Sequence, residues 1–312
     1  MKPIDEKAQP PHNNIGARAL LRTATKNTTM DLRGRRQSTN FEDRRGKGGG
    51  KIAGLGIGGV IIAGLIALFL GGNPAEVIQQ LGSQSTQTEE YTPTAQEEQL
   101  KTFALQILAS TEDVWADQFK RMGLTYRAPK LVIFKGSVQS GCGSASSSVG
   151  PFYCSADECV YLDLDFFNEM PQSLGAGGDF AYAYVIAHEV GHHVEHLLGT
   201  LDQAHSQMAR MNDTEKNRMS VRIELLADYY AGVWGHHENR MFGSLQDGDL
   251  EEAIGAAQKI GDDYLQKRAR GQVMPESFTH GTSAQRVKWL RKGLTSGDVR
   301  GGDTFSQNYN QL

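Results

Sequence analysis

Cysteine is scarce in this chain, with three in 312 residues. So small and odd a number excludes a disulfide framework as the main source of stability. None of the three, Cys142, Cys154 and Cys159, stands in a recognisable nucleophile context, which argues against a thiol hydrolase. Internal repeats are absent, so solenoid and propeller arrays are excluded. A strong excess of one charge is also lacking overall, the net being −4. The charge is unevenly spread, however. Residues 1–51 hold 12 Lys and Arg against 5 Asp and Glu, leaving 20 against 31 in the rest. With little apolar content, that basic stretch reads as a disordered tail. No nucleic-acid partner is expected for it, because of the segment that follows.

Long hydrophobic runs are missing with one exception. Ile52 to Leu70 is 19 residues without a charge, the length that crosses a bilayer core. Arg44, Arg45, Lys47 and Lys51 precede it, and Gly71-Gly72-Asn73-Pro74 and an acidic, Gln- and Thr-rich tract follow. The positive-inside bias puts the N-terminus in the cytoplasm and the main domain in the periplasm or exterior. A cleaved signal peptide is the alternative. The run is long for one, and no small-x-small site follows Leu70.

What the chain does have is His188-Glu189-Val190-Gly191-His192, within an apolar, helix-like run from Phe180 to Leu198. A helix turns 100° per residue, so His188 and His192 share one face, one turn apart. Two imidazoles so placed can grip one Zn²⁺. Glu189 projects beside that face and can act as general base on a water without being a ligand itself. The bland alternative is an amphipathic helix with two surface histidines. Against it, an unpaired Glu189 in so apolar a helix would be costly. Gly191, unfavourable inside a helix, fits a place where something must approach closely.

Catalytic zinc takes three protein ligands and a water. The best third ligand lies in Arg222-Ile223-Glu224-Leu225-Leu226-Ala227-Asp228, a second helical segment with Glu224 and Asp228 four apart on one face. Glu224 is placed to coordinate the metal, and Asp228 to accept the second ring N–H of a ligand histidine. The competing reading has both carboxylates in solvent, paired with Arg218 or Arg222. His193 and His196 read as surface or supporting groups. His236 and His237 end the second helix, where imidazolium favours the helix dipole. His280 and Arg286 are candidates for stabilising an oxyanion, and Thr282 or Ser283 would cap the helix carrying Arg286. Cys142 and Cys154 flank a Gly/Ser-rich turn and could be bridged, although Cys154 with Cys159 is also open.

Along the chain the expected order is a basic tail (1–51), a membrane span (52–70), a linker (71–95), a main domain (96–295) and a loose polar tail (296–312). Within the domain, a helix is expected from about Thr94 to Gly123, with strands at Leu131–Phe134 and Val160–Leu164. Helices follow from Asp179, over Met208–Gly235, over Leu250–Ala269 and over Arg286–Lys292. The fold class is α+β, a small sheet beside two helices that carry the metal.

Taken together these blocks resemble the bacterial neutral zinc metallopeptidases of the YpfJ type, which are membrane-anchored. The likeness covers nearly the whole chain from Met30. It runs through Arg33-Gly34-Arg35-Arg36-Gln37-Ser38, Ser140-Gly141-Cys142-Gly143, Gly150-Pro151-Phe152-Tyr153-Cys154, Ala187–Val194, Glu224–Trp234, Ile260-Gly261-Asp262-Asp263 and Phe278–Arg286. The resemblance implies a zincin-like domain with His188, His192 and Glu224 as ligands and Glu189 as base. Residues 1–29 precede the family's usual start, which makes Met30 a candidate initiator. Cys159 departs from the family pattern, which favours the Cys142–Cys154 pair.

The expected function is a membrane-anchored zinc endopeptidase that uses one Zn²⁺ on peptide or protein substrates. An edge strand near Val160–Leu164 would align the peptide. The rival is a zinc-bearing envelope scaffold that binds partners without turnover. The intact Glu189 argues against it.

Overall fold

The computed structural model describes residues 30–46 and 91–312. The predicted span at 52–70 lies outside the described residues. Among those residues no helix is long and apolar enough to cross a membrane.

The elements in chain order are β1 (Phe41–Asp43), α1 (Ala95–Arg121), β2 (Lys130–Phe134), β3 (Ser137–Ser140), β4 (Gly143–Ser146), β5 (Phe152–Cys154) and β6 (Cys159–Asp163). Then come α2 (Asp165–Glu169), α3 (Asp179–Leu197), α4 (Thr200–Met208), α5 (Asp213–Phe242), α6 (Asp249–Lys259), α7 (Asp262–Arg270) and α8 (Ser283–Ser296). The α+β expectation holds: helices dominate, and a four-stranded sheet in the order β1-β2-β6-β5 accompanies them. β1, β2 and β6 run parallel and β5 antiparallel to β6. β3 and β4 form a separate hairpin.

Local sequence explains the helix ends. Thr94 caps α1 and Asn212 caps α5, each in a reciprocal box with a Glu three residues on. Thr282 does the same for α8 with Gln285, so of the two predicted caps Thr282 is the one used. Three helices then pack closely because glycine leaves room. A Cβ on Gly191 of α3 would lie 2.9 Å from the Ala227 carbonyl oxygen of α5. One on Gly232 of α5 would lie 2.2 Å from the Leu290 carbonyl of α8, and one on Gly293 of α8 2.1 Å from the Tyr229 carbonyl. Around these contacts lie Trp115, Trp234, Trp289, Tyr184 and Tyr229, all but fully buried.

The structure corrects several expectations. Met30–Gly46 is not a disordered tail. Met30 joins the main core, β1 extends the sheet, and Arg35 bonds Glu238 at 2.7 Å and Ser244 at 3.0 Å. Arg36 reaches Glu112 at 2.8 Å and Asp113 at 2.6 Å. The C-terminal tail is not loose either: Thr304 is buried and accepts from Arg222 through its carbonyl, and Leu312 is buried too. The predicted helix over Leu250–Ala269 is two helices. Gly261, at their junction, has extended backbone (ψ 141°), and its Cα faces the backbone of Ser283, where a Cβ would come within 2.3 Å. The strand at Val160–Leu164 is internal, flanked by β2 and β5 and buried throughout. It cannot receive a peptide. The free edge on that side is β5.

Candidate metal centre

α3 and α5 cross at Gly191 and Ala227, bringing the two predicted carboxylate and histidine faces together. His188, His192 and Glu224 offer ligand atoms within 4.8 Å of one another. Glu224 Oε2 lies 3.1 Å from His188 Nε2, and Oε1 3.6 Å from His192 Nε2. Two ligand atoms at zinc distances and a tetrahedral angle would be about 3.3 Å apart. The donor set therefore fits Zn²⁺, and both imidazoles present Nε2 to it.

The reason they do so is a shell of carboxylates behind them. His188 Nδ1 donates to Asp228 Oδ1 at 2.9 Å, as the sequence suggested. His192 Nδ1 donates to Glu195 Oε2 at 3.0 Å, a partner that sequence reasoning missed. Its signal was available: Glu195 is three residues after His192 in the same apolar, helix-like run. Each bond fixes a tautomer and a ring orientation.

Asp228 is itself held. Arg286 donates to it twice, from Nε at 2.8 Å and from Nη2 at 2.9 Å. Tyr184 donates its hydroxyl at 2.5 Å. Arg286 is 3% exposed, and its Nη1 bonds the Ile260 carbonyl at 3.4 Å. It is thus committed to the orienting carboxylate and is not open to a substrate oxyanion, contrary to the sequence expectation. Its two bonds explain why Asp228 stays ionised. Burial opposes the charge, but Arg286 and His188 outweigh it and hold the carboxyl at about 2.

Glu189 is buried beside the two histidines, 8% exposed, and burial raises its carboxyl above the usual range. A raised carboxyl is the condition for a general base that must also release its proton. Without metal, burial opposes charge on His188, but Asp228 and Glu224 push its imidazole up to about 10. Burial lowers His192 instead. A dication would displace the His188 proton, since ligand histidines must be neutral.

His280 stands on a loop pinned by one carboxylate. Backbone N–H groups of Thr279, His280 and Gly281 all donate to Asp262 Oδ2, at 2.8, 2.7 and 3.0 Å. His280 Nδ1 donates to Asp262 Oδ1 at 3.2 Å. Nothing local in the sequence gives Asp262 a task, and the fold gives it this one. The His280 side chain is 30% exposed, and with Nδ1 engaged its Nε2 is the nitrogen left for a bound ligand. His193 bridges the Tyr153 hydroxyl and the Arg127 carbonyl at 2.9 and 2.6 Å. His236 and His237 bond carbonyls of Leu294 and Gly297 at the end of α8. Cys142 and Cys154 form a disulfide, leaving Cys159 buried and free.

Two helices crossing at glycine set His188 and His192 opposite Glu224 as a possible metal site. The chain belongs to the family described as "Putative neutral zinc metallopeptidase", whose model matches residues 30–305. It is similar to the protein YpfJ of Escherichia coli K12, 47% identical over 289 residues, covering 89% of this chain and all of that relative. It is also similar to Rv2575 of Mycobacterium tuberculosis H37Rv, 42% identical over 191 residues, covering 58% of this chain and 64% of that relative. No solved structure matches it significantly.

Proposed function

We propose that the protein is a zinc-dependent endopeptidase, held at a membrane by residues 52–70 and acting on peptide or protein substrates. The observation that carries this is the convergence of His188, His192 and Glu224 with a buried Glu189 beside them. A bound Zn²⁺ would supply Lewis acidity, lowering the pKa of a water and polarising the scissile carbonyl.

The chain's own residues do the rest. Glu189 takes the proton of the attacking water and delivers it to the leaving amine. His280, presenting Nε2, stabilises the oxyanion that develops on the substrate. Arg286 is a positioning residue: it fixes Asp228, which fixes His188. The free edge of β5 aligns an extended peptide by backbone hydrogen bonds. β5 is tied to α3 through the Tyr153–His193 bond, which supports a peptide path along the helix that carries His188 and His192. The disulfide supports a site outside the reducing cytoplasm.

The test compares bound zinc, by elemental analysis, and cleavage of a denatured protein for the wild type and Glu189→Gln. Zinc should be equal in the two, and cleavage should drop by about 10²–10⁴-fold in the variant. Equal cleavage would sink the mechanism. Zinc without cleavage of any member of a broad peptide library would favour a non-catalytic scaffold.

A further inference from the structure

We infer that residues 30–46 and residues 91–312 lie on the same side of the membrane, an inference that rests on the membrane attachment proposed above. This rests on described residues at both flanks and is independent of the zinc chemistry.

Residues 30–46 are built into the domain. β1 pairs in parallel with β2, Phe41 opposite Leu131 and Asp43 opposite Ile133. The Leu131 N–H donates to the Asn40 carbonyl at 3.0 Å, and the Arg44 N–H to the Ile133 carbonyl at 2.7 Å. Arg35 reaches α5 and Arg36 reaches α1. Charge closes the seam: the Arg45 side chain, 2% exposed, lies 2.6 Å from both Asp43 and Glu98, and Lys101 bonds Asp43 at 2.9 Å.

The two flanks also meet. A Cβ on Gly46 would stand 2.6 Å from Tyr91 Cβ, and the Arg45 guanidinium lies 5.9 Å from the Tyr91 ring centre. The chain therefore leaves the domain and rejoins it at one point. One crossing would separate those points by a hydrocarbon core of about 30 Å. A second crossing would need about 20 further apolar residues, and residues 71–90 contain Glu76, Glu89, Glu90 and several Gln. Exchange of β1 between two copies does not resolve the conflict, because the tail of a second copy would face the same wrong compartment. Both constraints place the Gly46–Tyr91 face of the domain toward the bilayer.

The experiment places single cysteines on exposed positions of the full chain, Gln37→Cys before the run and Leu124→Cys after it. Labelling with a membrane-impermeant maleimide is compared in intact and permeabilised cells. Background is low because Cys142 and Cys154 are bridged and Cys159 is buried. The expected result is that both sites gain label together, either in intact cells or only after permeabilisation. Label at one site in intact cells, and at the other only after permeabilisation, would overturn the inference. Thr39→Cys with Leu250→Cys, also exposed, repeats the test should either first variant fail to accumulate.

Discussion

Replacing Asp228 by Leu would separate the two tasks of that carboxylate. In the native structure Asp228 accepts from His188, from Tyr184 and twice from Arg286, and it is fully buried. Removing it strands a guanidinium that is 3% exposed. Breaking a buried pair by deleting one partner costs about 3–5 kcal/mol. For a domain of roughly 200 residues that is a drop in melting temperature of about 6–20 °C. The metal-free protein, followed by scanning calorimetry, measures this part directly. The second part is the loss of orientation at His188. Losing such a partner weakens metal binding by about 10–100-fold, read by chelator competition. The double variant Asp228→Leu with Arg286→Leu separates the two. It removes the stranded charge and should recover part of the melting temperature, because apolar replacements of a buried pair are often neutral. Zinc affinity should stay low, since His188 still lacks its acceptor. A single variant that melts with the parent, or a double variant that regains full zinc affinity, would refute this account of the Arg286–Asp228–His188 chain.

Glu195→Gln should weaken zinc binding by about 10-fold or more while preserving the fold, as measured by chelator competition and circular dichroism. Gly191→Ala should cost about 1–3 kcal/mol of overpacking and lower zinc affinity as Glu224 is pushed from His192, measured by melting and metal titration. Burial raises the Glu97 carboxyl, but Lys135, Tyr91 and Thr94 outweigh it and lower it from 4.5 to about 2. A depressed carboxyl stabilises the fold above its unfolded value, so that contribution should fade as pH falls from about 4.5 through about 2. Glu97→Gln should flatten that part of the stability–pH curve. Cys142→Ser opens a loop with a sequence separation of 12 and should cost about 2–3 kcal/mol, read from denaturant unfolding under non-reducing conditions.

Much of the centre is legible in the amino-acid sequence. His188 and His192 are brought to one face by helical period alone, and so are Glu224 and Asp228. Each pair needs only the local rule that residues four apart lie about one turn apart. The same holds for the capping boxes, whose partners sit three residues apart. Less legible is anything whose partner is distant in sequence. Arg35 binds a glutamate 203 residues away and Arg36 one 76 residues away. Locally, those arginines are indistinguishable from a solvated basic tail. The break at Gly261 is hidden for a similar reason. A single glycine is tolerated inside a helix, and the break shows only in the fold, where the Asp262 N–H donates to the distant Gly281 carbonyl at 2.9 Å. Val160–Leu164 reads as a strand, but alternation does not say whether a strand is edge or interior. That depends on which neighbours pair with it.

By itself, then, the sequence determined the His-Glu-x-x-His face, the opposing Glu-x-x-x-Asp face and the helices that carry them, because a helix's period is set within a few residues. Tertiary structure alone decided that Gly191 lets those faces meet, and that Arg286 serves Asp228 and not a substrate. It also decided that β5 is the open edge, and that residues on both sides of the apolar run share one sheet. Those outcomes come from close packing between elements, which no local pattern encodes.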